Sequence, residues 1–222
     1  MEILNYTQLP NPEKLKEILI SQAALDSIMV DKEESWLRVI NFYKNYSEDI
    51  DMVKIDNGAG DHMFFLFSNY GTIIKGFDHE SILSPYANDD EEIAKGIYDF
   101  VPKELMNLLD ESIERDDVTF CIWRSKTDLL WKKSEVIIPA DYQDGDDGEG
   151  FLLGLILTSA DSWVAWARDY YEEQGERIQL DYVKKVYKHE GITKDIIEMI
   201  NPDRDTEAVI KELKEIGFIK EI

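Results

Sequence analysis

The sequence predicts an α+β fold: a largely antiparallel central sheet of five or six strands, flanked by helices and followed by a helical C-terminal region. Three observations predict it. Strand-type apolar runs cluster in the middle of the chain, at MVKID, HMFFLFS, GTIIKGF, VTFCIWR and SEVIIPA. Ser68-Asn69-Tyr70-Gly71 separates two of these runs by a compact turn, which suits an antiparallel hairpin and is too short for a parallel crossover. Helical periodicity lies before, between and after these runs without the strict strand–helix alternation of a parallel sheet.

Taken in order, residues 12–29 put Leu15, Ile18, Leu19 and Ala23 on one helical face, with Asn11 as a candidate cap. Trp36, Ile40 and Tyr43 recur at helical spacing and predict a second helix over Lys32–Tyr46. In HMFFLFS the apolar residues are consecutive, so both faces of that strand are expected to be covered. Asp89 and Asp90 precede Ile93, Ile97 and Tyr98 as an acidic helix start, and Leu105, Leu108 and Leu109 carry the period past Pro102. VTFCIWR (118–124) and SEVIIPA (134–140) are the next strands. DYQDGDDGEG (141–150) is a loop, and it marks the boundary between an α+β domain over 1–150 and a helical region over 151–222. FLLGLILT fits strand or helix. SADSWVAWARDYYEEQG predicts a helix with Trp163, Trp166, Ala167, Tyr170 and Tyr171 on one face and Gly175 as its stop. Shorter helices follow at 179–189, at 194–200 capped by Thr193, and at 206–216 capped by Asp205 and closed by Gly217.

Charge is the strongest global signal, with 24 Lys+Arg against 47 Asp+Glu and a net charge of −23. Such a surface repels phosphate backbones and anionic lipid, so neither nucleic acid nor membrane is expected as a partner, and a basic protein is. The acidity is uneven. Nine basic and eleven acidic residues leave 176–222 at −2, so the first 175 residues carry −21. Residues 1–14 show no basic start or apolar run, and the apolar runs elsewhere are short. No signal peptide or membrane span is therefore expected. The lone Cys121 in VTFCIW fits a reducing, cytoplasmic setting and a small buried hydrophobe.

Two of the three histidines follow aspartates, at Asp61-His62 and Asp78-His79. A hairpin centred on Tyr70 places His62 opposite Asp78 and Asp61 opposite His79, at the open end. Two imidazoles with two carboxylates suit a divalent metal or an acid–base pair. Bonds to backbone groups at the strand ends are the structural alternative. Asp144, Asp146, Asp147 and Glu149 supply hard oxygen ligands, but counted from Asp144 the EF-hand glycine position holds Glu149 and the twelfth holds Leu155, so that motif fails. His189 is read as a helix-end residue, and the lysines near it belong to a segment that is itself acidic, which argues against DNA.

GDHMFFLFSNYGTIIKGFDHES and SWVAWARDYYE resemble segments of uncharacterised bacterial proteins of toxin–immunity type. The resemblance implies a small acidic cytoplasmic protein that neutralises a cognate basic toxin, and it carries no functional residues over. The expected function is thus binding, with no cofactor, through the acidic stretches Asp89-Asp90-Glu91-Glu92 and Asp144, Asp146, Asp147 and Glu149. The alternative is a metal-assisted hydrolase using His62, Asp78 and His79, with Asp61 as a further metal ligand.

Overall fold

Proline's fixed φ and missing N–H suit a first helical turn, and Pro12 opens α1 (Pro12–Met29). The computed structural model describes residues 3, 5–87, 92–138 and 146–219. Its strands β1 (Ile40–Ser47), β2 (Ile50–Asp56), β3 (His62–Ser68), β4 (Gly71–Phe77), β5 (Phe120–Ser125) and β6 (Lys132–Lys133) form one antiparallel sheet in chain order. Sequential neighbours pair because their connections are short or return on the same edge. The remaining helices are α2 (Lys103–Met106), α3 (Glu149–Leu153), α4 (Ala160–Tyr170), α5 (Glu172–Glu176), α6 (Leu180–Tyr187), α7 (Lys194–Ile200) and α8 (Thr206–Glu215).

Four expectations are corrected. Lys32–Tyr46 is not a helix: a 3₁₀ segment over Lys32–Leu37 breaks at Glu34, and β1 begins at Ile40. Ile40 and Phe42 are buried around the half-exposed Asn41, a period of two that three apolar residues at helical spacing had masked. The helix expected after Asp90 shrinks to the four residues of α2, because Gly96 and Phe100 take positive φ of 98° and 65°. A Cβ at Gly96 would sit 2.4 Å from the Glu135 carbonyl oxygen, so that close approach needs glycine. SEVIIPA pairs less than expected. β6 covers only Lys132–Lys133, and Ile137 N donates to Lys95 O instead of to a strand. The helix through Trp163 ends at Tyr170 rather than at Gly175, with α5 following. Of FLLGLILT only Phe151–Leu153 is helical, ending α3, and the remainder is neither helix nor strand. The caps Thr193 and Asp205 form as expected, accepting from Ile196 N and from Glu207 and Ala208 N, and Gly217 leaves α8 at φ 76°.

The chain divides into two compact units, each discontinuous in sequence. Among the described residues one comprises 13–44 and 156–219, the other 3–12 and 45–155. In the first, Leu25, Ile28 and Met29 of α1 share a core with Trp163, Ala167, Val183, Val186, Ile197, Val209 and Leu213. An ion network crosses this unit from the core to the surface: buried Glu212 pairs with Arg38 at 2.7 Å and Arg204 at 3.3 Å, and Arg204 reaches the exposed Asp31 at 2.5 Å. The Asp26 carboxyl is also buried there, accepting from Ile40 N at 3.0 Å and the Tyr171 hydroxyl at 3.1 Å. Burial pushes its pKa up to about 7 despite those bonds and the Arg38 charge.

The sheet dominates the second unit. One face packs Met52, Phe64, Leu66, Ile73, Cys121 and Trp123 against Ile97, Leu105, Leu109, Ile113 and Val118. The alternate residues Val53, Ile55, Met63, Phe65, Ile74 and Ile122 are buried as well, so the strands are covered on both sides as HMFFLFS predicts. Cys121 is buried and its thiol pKa pushed up, the behaviour of a small hydrophobe. Among the described residues no helix is long and apolar enough to cross a membrane.

Candidate functional site

The β3–β4 hairpin decides which titratable groups meet. Its innermost pair is Ser68 with Gly71 and its last is His62 with Phe77. The centre therefore falls between Asn69 and Tyr70, one residue from the expected register, and the ladder ends before Asp61 and Asp78. His62 consequently points to the other face of the sheet. The structure brings Asp61, Asp78 and His79 together and takes His62 elsewhere, so the set His62, Asp78 and His79 is not assembled as one site.

Past Phe77 the chain leaves the strand in a turn, with Ser81 N bonding to Asp78 O. That turn swings His79 back over Asp61. The His79 backbone N–H and ring Nδ1 both reach Asp61 Oδ1, at 2.9 and 2.6 Å, while Asn57 Nδ2 donates to Oδ2 at 2.7 Å. Burial raises the cost of ionising Asp61, but the His79 and Asn57 donors outweigh it and hold the pKa below the usual range. The bond from Asp61 raises the pKa of His79 in return. Asp78 moves up, first through burial and then through the Asp61 and Asp146 charges.

Residues 146–149 close over this mouth. Ser81 Oγ donates to Asp146 O, and Thr119 Oγ1 donates to Asp147 O, both at 2.7 Å. Gly148 has φ 78° and lies against Asp78, where an added Cβ would fall 2.3 Å from the Asp78 Cβ. Of the acidic loop, Asp144 lies outside the described residues, Asp146 is exposed, Asp147 pairs with Lys133 at 2.5 Å, and Glu149 is buried against Lys133 and the Tyr6 N–H. Asp147 and Glu149 thus build the fold. Of the other stretch Glu92 is exposed, and Asp89, Asp90 and Glu91 lie outside the described residues.

On the opposite sheet face lies a cluster that composition and motif spacing did not point to. Lys75, the only charged residue of β4, is fully buried. Its Nζ donates to Glu114 O at 2.7 Å and Ile113 O at 3.1 Å, and contacts His62 Nε2 at 3.0 Å over the Phe64 ring. Glu114 Oε2 lies 3.2 Å from the same His62 nitrogen. With Lys75 protonated, Nε2 accepts and the ring proton sits on Nδ1. Burial lowers the Lys75 pKa to about 7, against the opposing Glu114 and Asp117 charges. Burial, then the Lys75 and Lys54 charges, lowers that of His62 to about 4. The available signal was a lysine in the apolar run GTIIKGF, beside the strand expected to be covered on both faces, since lysine is almost never fully buried without partners.

Lys75 clamps the wall of an open depression of about 610 Å³ lined by Leu109, Asp110, Glu111, Glu114, Arg115, Asp116 and Asp117. Glu114 turns that wall with a left-handed φ of 50°. The hydroxyls of Tyr98 and Tyr86 hold it further, bonding to Arg115 O and Asp117 Oδ1, each at 2.6 Å. Five carboxylates and one guanidinium thus face solvent on a backbone fixed from beneath. His189 belongs to neither place. It ends α6 with φ 53°, contacts Ser21 Oγ at 3.2 Å and stacks on Phe218, a structural role. No family model, curated protein or solved structure matches the chain.

Proposed function

We propose that this chain is an acidic binding protein that engages a basic protein partner, and that the depression around Glu114 receives the partner's cationic side chains. The observation that carries the reading is the depression itself: five carboxylates against one arginine, on a rim tied to the sheet by Lys75 and to neighbouring turns by Tyr86 and Tyr98. A rim fixed in advance loses little conformational entropy on binding. Carboxylates gathered around one opening steer a basic partner and disfavour acidic ones. The net charge of −23 acts in the same direction at longer range. An immunity protein that neutralises a basic toxin is the form of this function that the resemblance implies, with a reducing cytoplasm as its setting.

The test is calorimetric titration of the chain with the purified product of a neighbouring gene, or with a basic protein that co-purifies with it. Glu111 and Asp116 line the opening and are exposed, so Glu111→Lys with Asp116→Lys reverses charge without touching the core. Binding is expected to weaken about tenfold or more in the double variant, and to weaken as salt rises from about 50 to about 300 mM. A basic partner whose affinity ignores both changes, or the absence of any basic partner, sinks the proposal.

A further inference from the structure

The geometry points to a divalent transition-metal site at the mouth of the β3–β4 hairpin, with Asp61, Asp78 and His79 as ligands. It stands apart from the acidic depression and does not rest on the binding reading.

Each of the three residues offers a ligand atom, and these atoms all lie within 4.8 Å of one another. Ligands on a tetrahedral ion at bonds of about 2.1 Å sit about 3.4 Å apart, so the widest separation has to close by at most about 1.4 Å. The members also differ usefully in freedom. Asp61 is buried at 4% exposure and fixed by Asn57, whereas Asp78 is half-buried and His79 is exposed. One rigid ligand and two adjustable ones, open to solvent on the His79 side, give an ion both a seat and a way in.

The charge balance indicates a cation. Among the described residues neither Asp61 nor Asp78 has a Lys or Arg within ion-pair distance, and the only positive group there is the His79 ring. Two carboxylates lie within 4.8 Å of each other just past the end of the ladder, an arrangement that costs like-charge repulsion. A divalent ion bridging them turns that repulsion into attraction. The Gly148 backbone holds Asp78 from behind, and any side chain at 148 would displace it. One imidazole with two carboxylates favours Zn²⁺ or Mn²⁺ over Mg²⁺, which prefers all-oxygen shells and keeps its water. Three protein ligands leave at least one coordination position for water or a substrate oxygen.

Tag-free protein is stripped with chelator and titrated calorimetrically with Zn²⁺, Mn²⁺ and Mg²⁺ at about 0.2 M salt, which screens non-specific attraction to the acidic surface. One equivalent of Zn²⁺ or Mn²⁺ is expected to bind, with Mg²⁺ binding at least tenfold more weakly. His79→Gln, which keeps a donor for Asp61, and Asp78→Asn should each weaken it tenfold or more. Asp116→Asn in the depression should leave it unchanged. Co²⁺ titration of the unaltered chain gives an independent readout, since a four- or five-coordinate protein site shifts the d–d bands to longer wavelength and strengthens them relative to aqueous Co²⁺. The assignment is overturned if no single-equivalent binding appears, if both variants bind as well as the parent, or if the Co²⁺ spectrum stays that of the aqueous ion.

Discussion

Replacing Lys75 by Met removes a titrating group from the sheet and should change how stability depends on pH. The lysine is fully buried, and its pKa falls from 10.5 to about 7 on folding. The unfolded chain therefore binds more protons than the folded one between those values, and stability rises as pH climbs through that window. A shift of this size makes folding with Lys75 cost about 4 kcal/mol at pH 7 and about 2 kcal/mol at pH 9, at 1.36 kcal/mol per pK unit. The parent should gain about 2 kcal/mol relative to Lys75→Met across that interval. Methionine also leaves the Ile113 and Glu114 carbonyls without their donor, a loss of about 1–3 kcal/mol that does not vary with pH. The slope is thus the diagnostic, and the sign at any single pH is not. Urea unfolding of both chains, followed by tryptophan fluorescence at pH 7, 8 and 9, measures it. A difference between the chains that stays constant, or changes in the opposite sense, would refute the placement of a strained ammonium at this position.

Asp26 shows the reverse dependence. Its pKa rises to about 7 on folding, so the stability it confers is complete below about pH 4 and lost as pH climbs through 7, by about 4 kcal/mol in total. Asp26→Asn should abolish that decline in urea unfolding at pH 5 and pH 8. Glu212→Ala leaves Arg38 and Arg204 buried beside no carboxylate at that position, and a loss of about 3–5 kcal/mol is expected in the same assay. At Gly76 an added Cβ would lie 2.0 Å from the Phe120 ring, so Gly76→Ala should destabilise by about 1–3 kcal/mol. Phe120→Leu in the same chain should recover part of that loss, since it clears the collision.

Elements whose signals agreed at every level were legible in the sequence. For α1, α7 and α8, cap or first-turn chemistry, apolar period and length all coincide, and each formed within a residue or two of its expected bounds. Where two periods compete, the sequence misleads. Trp36, Ile40 and Tyr43 are spaced for a helix, yet Ile40 and Phe42 alternate for a strand, and the Asp26 carboxylate accepting from Ile40 N favours the strand. That bond joins residues fourteen apart and has no local signature. The segment after Asp90 failed similarly, because Gly96 has to approach a carbonyl of the chain near Glu135. Tertiary contacts override propensity in both places.

The candidate sites turn on a single residue of register. Centring the hairpin on Tyr70 brings His62 to Asp78, whereas centring it between Asn69 and Tyr70 sends His62 through the sheet to Lys75 and Glu114. The turn residues alone do not separate these cases, since Gly71 with φ 137° serves either. What separates them is the burial of side chains along two whole strands, since a slip would part Ile73 from Phe64 and Leu66, which share one core. Asp61 and His79 meet in either register, but in the observed one the ladder does not bring them together. The turn after Phe77 folds His79 back, and the Asp61 carboxylate holds both its backbone and its ring. Asp61 thus fixes the turn that places Asp78 near it. The closeness of the two like-charged carboxylates depends on the Asp61–His79 contact that holds the turn.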